Sequence, residues 1–216
     1  VEEAKPVLTF TGISDSQGAA LSEIPTGTPG FVGHWLIFND GSSAWTPDLE
    51  IDLPDSTWEG ICDPVSEIAA GGSSEANCII IAPNFAMAGW QPEIGLTIDA
   101  DGIERSASAL IPVGAEPSVV WTTLSIEESM AAQSSRLHFE ILNTGNTVVQ
   151  ERVIIESPEG WTAEVEDSDI VDLAIGESQG LRVRIVPDTT GEALVSLSFE
   201  DSNIHGSTHS AILDVA

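Results

Sequence analysis

The sequence predicts an all-β chain folded as two tandem antiparallel β-sandwiches, and three observations carry the prediction. The chain of 216 residues repeats itself at a spacing of about 104 residues, the mark of one structural unit used twice. Its apolar residues fall in short runs that alternate with period two, separated by Gly, Pro, Asn and Asp clusters. No stretch keeps a helical period. About seven strands in about 100 residues is what an immunoglobulin-like sandwich requires. The units are read as residues 1–115 and 116–216, linked near Gly114 to Pro117, "GAEP".

In chain order, KPVLTFTG (5–12) reads as an opening strand able to add to a neighbour's sheet edge. IFNDGSSAWTPDLEIDLPDSTWEGIC (37–62) is the first copy of ILNTGNTVVQERVIIESPEGWTAEV (141–165). Asn39, Asp40 and Gly41 align there with Asn143, Thr144 and Gly145, and Trp58 with Trp161. Asp48, Glu50 and Asp52 alternate on one strand face. EIAAGGSSEANCIIIAP (67–83) lines up with DLAIGESQGLRVRIVP (172–187). That alignment sets Cys78 on Arg182, an outward position, and Cys62 near Val165. LTIDADGIERSASALIPV (96–113) pairs with LSFEDSNIHGSTHSAILDV (197–215).

The second copy opens with Trp121, read as core or junction packing. SIEESMAAQSS (125–135) comes nearest to a helix but is short. In RLHFEIL, Leu137, Phe139 and Ile141 face inward while His138 and Glu140 face outward. In LRVRIVP, Leu181, Val183 and Ile185 face inward with Arg182 and Arg184 outward. Trp35, Trp58 and Trp161 are expected to plug the space between sheets, since aromatic rings bury large area.

Charge restricts the partners. There are 35 acidic residues against 6 basic ones, a formal net charge of −29, and Lys5 is the single lysine. Such a chain repels nucleic acid and anionic lipid. It also repels itself until salt shortens the Debye length. The balance fits a saline exterior or a halophile's cytoplasm; the exterior is the reading adopted, and it extends to a salt-adapted, archaeal source. No run of 18 apolar residues is present, so no membrane insertion is predicted within the chain. The abrupt start at VEEAKP and end at AILDVA read as a processed or excised piece whose anchor lies outside it.

Cys62 and Cys78 are the only cysteines. Free thiols, a metal pair and a disulfide are the alternatives. Two thiols make a poor zinc site, which wants four ligands. The disulfide is the reading adopted, and it places the chain in an oxidising, extracellular or cell-surface location.

The order NTGN, then ESPEGW, then LAIGESQGLRVRIVP resembles extracellular Ig-like modules of prokaryotes. These include adhesion-related CARDB-type domains and the Ig-like domain appended to some alpha-galactosidases. The resemblance covers most of the second copy and less of the first, which departs from it at Asp40 and Gly72. It implies a secreted or surface-displayed sandwich that spaces, stacks or adheres, with no catalytic residue.

Several short tracts invite sharper readings. GESQG (176–180) fits the G-x-S-x-G pattern of a hydrolase nucleophile, with Asp201, His205 and His209 downstream. A strand follows it rather than a helix, so Ser178 reads as a hairpin residue. His205 and His209 would share a metal on a helix, but on a strand they stand about 13 Å apart. His34 and His138 occupy matching outward positions and suit a sheet surface. DADG offers Asp99 and Asp101 as calcium candidates, but loop position 12 of a true EF-hand would be Leu110. Asp-Gly between two strands signals a tight hairpin instead. Trp45 and Trp90 lack tryptophan partners in the second copy and are the candidates for stacking on a glycan.

The predicted function is therefore non-enzymatic: a structural or adhesion module, acting as spacer or assembly unit with itself or neighbouring domains. The alternatives are a filament or surface-layer subunit joined by β-strand addition, and a carbohydrate-binding accessory module. No cofactor is expected, with calcium as the one option.

Overall fold

A computed structural model describes residues 5–216. The chain is all-β and divides between Gly114 and Ala115 into two compact units. The first contains β1 (Pro6–Ser14), β2 (Ala20–Leu21), β3 (Phe31–Asn39), β4 (Asp48–Asp52), β5 (Glu59–Cys62), β6 (Ser73–Ile81), β7 (Glu93–Ala100) and β8 (Ile103–Leu110). The second contains β9 (Val119–Ile126), β10 (Ser135–Asn143), β11 (Val149–Glu156), β12 (Thr162–Val165), β13 (Ile170–Leu173), β14 (Ser178–Val186), β15 (Gly191–Phe199) and β16 (Thr208–Val215).

The first unit has sheets in the order β2-β1-β3-β6-β5 and β4-β7-β8. Apart from the short β2, this is the ABED and CFG arrangement of an immunoglobulin-like sandwich. The second unit repeats it as β9-β10-β14-β12 and β11-β15-β16, with β13 added beside β11. The paired strands named here are antiparallel, so hairpins and short crossovers suffice. SIEESMAAQSS forms no helix: it leaves β9 through a turn with Ala132 at φ 60°.

Period-two alternation builds each core. Phe31, Trp35 and Ile37 of β3 meet Ile94, Leu96 and Ile98 of β7 in one cluster. Leu137, Phe139 and Ile141 of β10 join Leu181, Val183, Ile185 and Leu197 in the other. Each such side chain, fully buried, contributes about 1.5–3 kcal/mol. Trp58 and Trp161 are both buried, as plugs in equivalent places.

Register corrects the sequence alignment at one point. His34 pairs with Asn77 in β6, whereas His138 pairs with Arg182 in β14. Arg182 therefore matches Asn77, and Cys78 matches Val183. A one-residue slip exchanges the two faces of a strand, so Cys78 points inward and is fully buried. Cys62 and Cys78 are opposite one another on β5 and β6 and form a disulfide. Val165 and Val183 occupy the same pair of positions in the second unit. The bridge thus replaces a cross-strand apolar contact at the core side of the sheet.

The opening strand lies within the first unit. β1 pairs with β3 from Pro6 to Ser14, with a bulge between Phe10 and Gly12. On its other edge β2 pairs with it only at Ile13 and Ser14.

A buried asparagine closes each unit. Asn143 Nδ2 donates to Thr147 O (2.8 Å) and Leu173 O (3.1 Å), while Oδ1 accepts from Gly145 N (3.0 Å). Asn39 does the same with Ser43 O (2.8 Å), Ile68 O (3.0 Å) and Gly41 N (2.9 Å). The backbone adds a matching pair: Gly71 N donates to Asn39 O and Gly176 N to Asn143 O. Both asparagines are essentially without solvent exposure. Gly145 is required where it stands, because a Cβ would lie 2.5 Å from Glu116 O and Ser118 N.

Asn143→Ala leaves two buried carbonyls and one N–H without this partner, at about 1–3 kcal/mol for each stranded group. Urea unfolding followed on signals of the second unit should show a loss of roughly 3 kcal/mol. A loss below about 0.5 kcal/mol, the range of ordinary surface changes, would remove the clamp from this account.

Candidate functional site

The structure separates the residues that sequence singled out. Trp45 is only 3% exposed and bridges Ile68. The reading of it as a stacking residue is corrected: it fills the core where the second unit has Val149. Trp90 is 42% exposed, its ring set edge-on against Trp58 at 6.0 Å. Ser178 lies in β14 opposite Leu142, and its hydroxyl donates to Glu140 (3.2 Å). Asp201 accepts from Asn203, and His205 is held by its backbone to Pro117 and Val119. No hydrogen bond links Ser178, Asp201 and His205 as a triad would require. His209 hydrogen-bonds Thr123 (2.9 Å) and stacks on Trp121 at 6.1 Å, so Trp121 packs within its own unit.

Asp99 and Asp101 belong to the β7–β8 hairpin. Asp101 and Gly102 have φ of 55° and 86°, the two positive values a type I′ turn needs. Asp99 Oδ1 accepts from Gly102 N at 2.7 Å. The loop aspartates Asp15 and Asp55 likewise accept from their own turns, at Gln17 and Ala19, and at Thr57. The Thr57 hydroxyl, then its backbone N–H, holds the Asp55 carboxyl below the usual carboxylate range. Among the described residues no group of three or more His, Cys, Asp or Glu is placed to hold a metal ion.

Two surfaces of the first unit stand out. The first is a groove of about 610 Å³ at one end of the β4-β7-β8 face, lined by Trp90, Pro54, Asp52, Glu93, Ser106 and Ser108. Its floor is Gly95, where a Cβ would come within 3.2 Å of the Cβ atoms of Asp52 and Ser108. Thr97 Oγ1 donates to Asp52 and sits 2.8 Å from Ser106 Oγ, and Ser108 donates to Glu93. An exposed indole beside carboxylates and hydroxyls suits a hydroxyl-rich ligand that stacks and donates. The same face carries a cross-strand row of three carboxylates, Asp48, Asp99 and Glu104. Like charges directly opposite destabilise a sheet, and salt screens that repulsion.

The second is the outer face of the β1-β3-β6-β5 sheet. Val7, Leu36, Ile79 and Ile61 are exposed there, with Ile61 at 70%. Ile61, Ile79 and Val32 stand side by side across three strands. The outward strand positions carry two carboxylates, Glu59 and Glu75. The second unit has Glu164, Arg184 and Arg136 in the same row. Arg184 pairs with Glu164, Arg136 with Glu166 (2.8 Å), and Arg182 with Asp167 (2.6 Å). Sequence reading missed the apolar row because CIIIAP looks like uniform core. The signal was present: in a strand, three consecutive isoleucines cannot all face inward, and Ile80 alone is fully buried.

No family model matches the sequence, and no curated protein matches it. Solved structures are similar to it at low identity. The D00-D0 domain of intimin matches at 12% identity and a TM-score of 0.41, covering 97% of this chain and 100% of that one. Domains 4 and 5 of the S-layer protein SbsC match at 11% and 0.35, covering 56% of this chain and 65% of that one. Red sea bream transglutaminase matches at 11% and 0.33, covering 97% of this chain and 31% of that one. The chain thus spans less than two thirds of the S-layer fragment and under one third of the transglutaminase.

The Arg182 hydrogen bond holds the Asp167 carboxyl below the usual carboxylate range, with the Arg182 charge adding to it. A depressed folded value means the pair contributes above the unfolded pKa, about 4. The contribution is lost as pH falls through the folded value. Carboxyl NMR titration should show a low Asp167 midpoint that rises in Arg182→Gln. An unchanged midpoint would contradict the pairing.

Proposed function

We propose that the chain is a non-enzymatic structural module of an extracellular or cell-surface protein: a pair of rigid spacers that works in saline surroundings and offers faces for adhesion or assembly. The observation that supports this most is the duplicated clamp at Asn39 and Asn143, because it uses the buried polar groups of both units to tie loops down. A disulfide in the first unit agrees with an oxidising location. Carboxylates set opposite one another on β4, β7 and β8 are tolerable where salt screens them. The CARDB-type resemblance belongs to the same reading, as an adhesion-related module used in tandem.

Pulling single molecules from their ends tests it. Two separate cooperative unfolding steps are expected, one per unit. The disulfide locks a 16-residue span. Reduction should therefore lengthen the first unit's step by about 55 Å, at roughly 3.5 Å per extended residue. Smooth extension without steps would contradict a load-bearing module.

A carbohydrate-binding accessory role is the second reading, and the Trp90 groove favours it. Neutral glycans screened against the folded chain should then bind with affinity that Trp90→Ala lowers tenfold or more. Binding that survives Trp90→Ala, or no binding by any glycan, would dismiss it.

A further inference from the structure

We propose that two copies of this chain pair face to face through the outer surface of the β1-β3-β6-β5 sheet, an inference that rests on the structural-module reading and names its partner. The face carries apolar side chains where the β4-β7-β8 face carries a row of carboxylates. Val7, Leu36, Ile61 and Ile79 are all at least 40% exposed, and Val32 and Phe38 lie half-buried among them. Ile61, Ile79 and Val32 form one row, and Leu36, Phe38 and Val7 a second group beyond His34 and Asn77; exposed apolar groups rimmed by polar residues mark an interaction site.

Charge selects the partner. A basic protein would gain most on the β4-β7-β8 face, which presents Asp48, Glu50, Asp52, Asp99 and Glu104. The β1-β3-β6-β5 face offers it fewer: Glu59 and Glu75, with Asp63 just past β5 opposite Asn77. Two copies of a chain at −29 repel each other almost everywhere. They meet with less repulsion where each brings apolar side chains and few carboxylates. Size permits it as well. β1, β3 and β6 are nine residues long. At about 3.3 Å per residue and about 4.8 Å between strands, the face projects roughly 500 Å². Two such faces approach roughly 1,000 Å², where specific interfaces begin.

The second unit supplies an internal comparison. The same three positions there hold Glu164, Arg184 and Arg136, so the fold accepts a charged row. The apolar row is therefore not needed for folding, and a two-fold contact is the use this arrangement fits.

The test is sedimentation velocity of the full chain over a hundredfold concentration range, at low and at multimolar salt. A monomer–dimer equilibrium is expected that strengthens with salt and stops at the dimer. The double variant Ile61→Glu, Ile79→Arg transplants the Glu164–Arg184 pair and should weaken dimerisation at least tenfold. Ile61→Thr, at the most exposed position, should weaken it severalfold and serves if the double variant does not fold. Trp90→Ala should leave it unchanged. A monomer under all conditions, growth beyond the dimer, or an Ile61 variant that pairs like the parent would overturn the proposal. None of these outcomes bears on the unfolding steps seen under force, so the spacer reading stands or fails separately.

Discussion

Asn39 and Asn143 are carboxamides taken fully out of water where three chain segments meet, and a carboxamide survives there only if its donors and acceptor are all used. Each satisfies this demand by binding the carbonyl of the turn that follows it and the carbonyl of a segment about 30 residues further on. The constraint propagates outward. It fixes the turn leaving β3 or β10, and hence the crossing to the opposite sheet. It also fixes the entry to β6 or β14, whose turn glycine donates back to the asparagine carbonyl. The tract NTGN is thus the hinge of a repeated unit, with its first residue inside the core and its middle in the turn.

With the frame set this way, the surfaces are free to differ. One unit closes its β5–β6 pair with a disulfide, the other with two valines at the same positions. One outer face presents isoleucines, the other arginine–carboxylate pairs. Exposed ion pairs of that kind add little stability, but they keep a face hydrated and locally neutral. The acidic load falls elsewhere, on loop turns and on the β4-β7-β8 face, where it serves solubility in salt. Function is best sought in these differences, since the shared parts are accounted for by folding.

Much of the fold was legible in the sequence because strand periodicity is local. Leu137, Phe139 and Ile141, or Leu181, Val183 and Ile185, declare a buried face without knowledge of their partners. Repetition then supplied the architecture. What was not legible depends on register. Aligning the repeats by sequence misplaces β6 by one residue, which sets Cys78 outward, whereas strand pairing buries it. Trp45 reads as a surface residue because it has no tryptophan counterpart, yet a core position filled by Val149 in one unit can be filled by a larger ring in the other. The groove was legible only as Trp90. Asp52, Gly95 and Ser108 come from three strands, and pairing alone brings them together.

Native-state hydrogen exchange at the clamped turns tests the central claim most directly. The amides of Gly41, Gly71, Gly145 and Gly176 all donate to an asparagine oxygen. If the clamp holds the frame, these turn amides exchange only when their whole unit unfolds, with protection equal to that of β3 and β10. Exchange of Gly145 and Gly176 through local opening, far faster than the neighbouring strands, would show that the turns are carried by the sandwich rather than holding it.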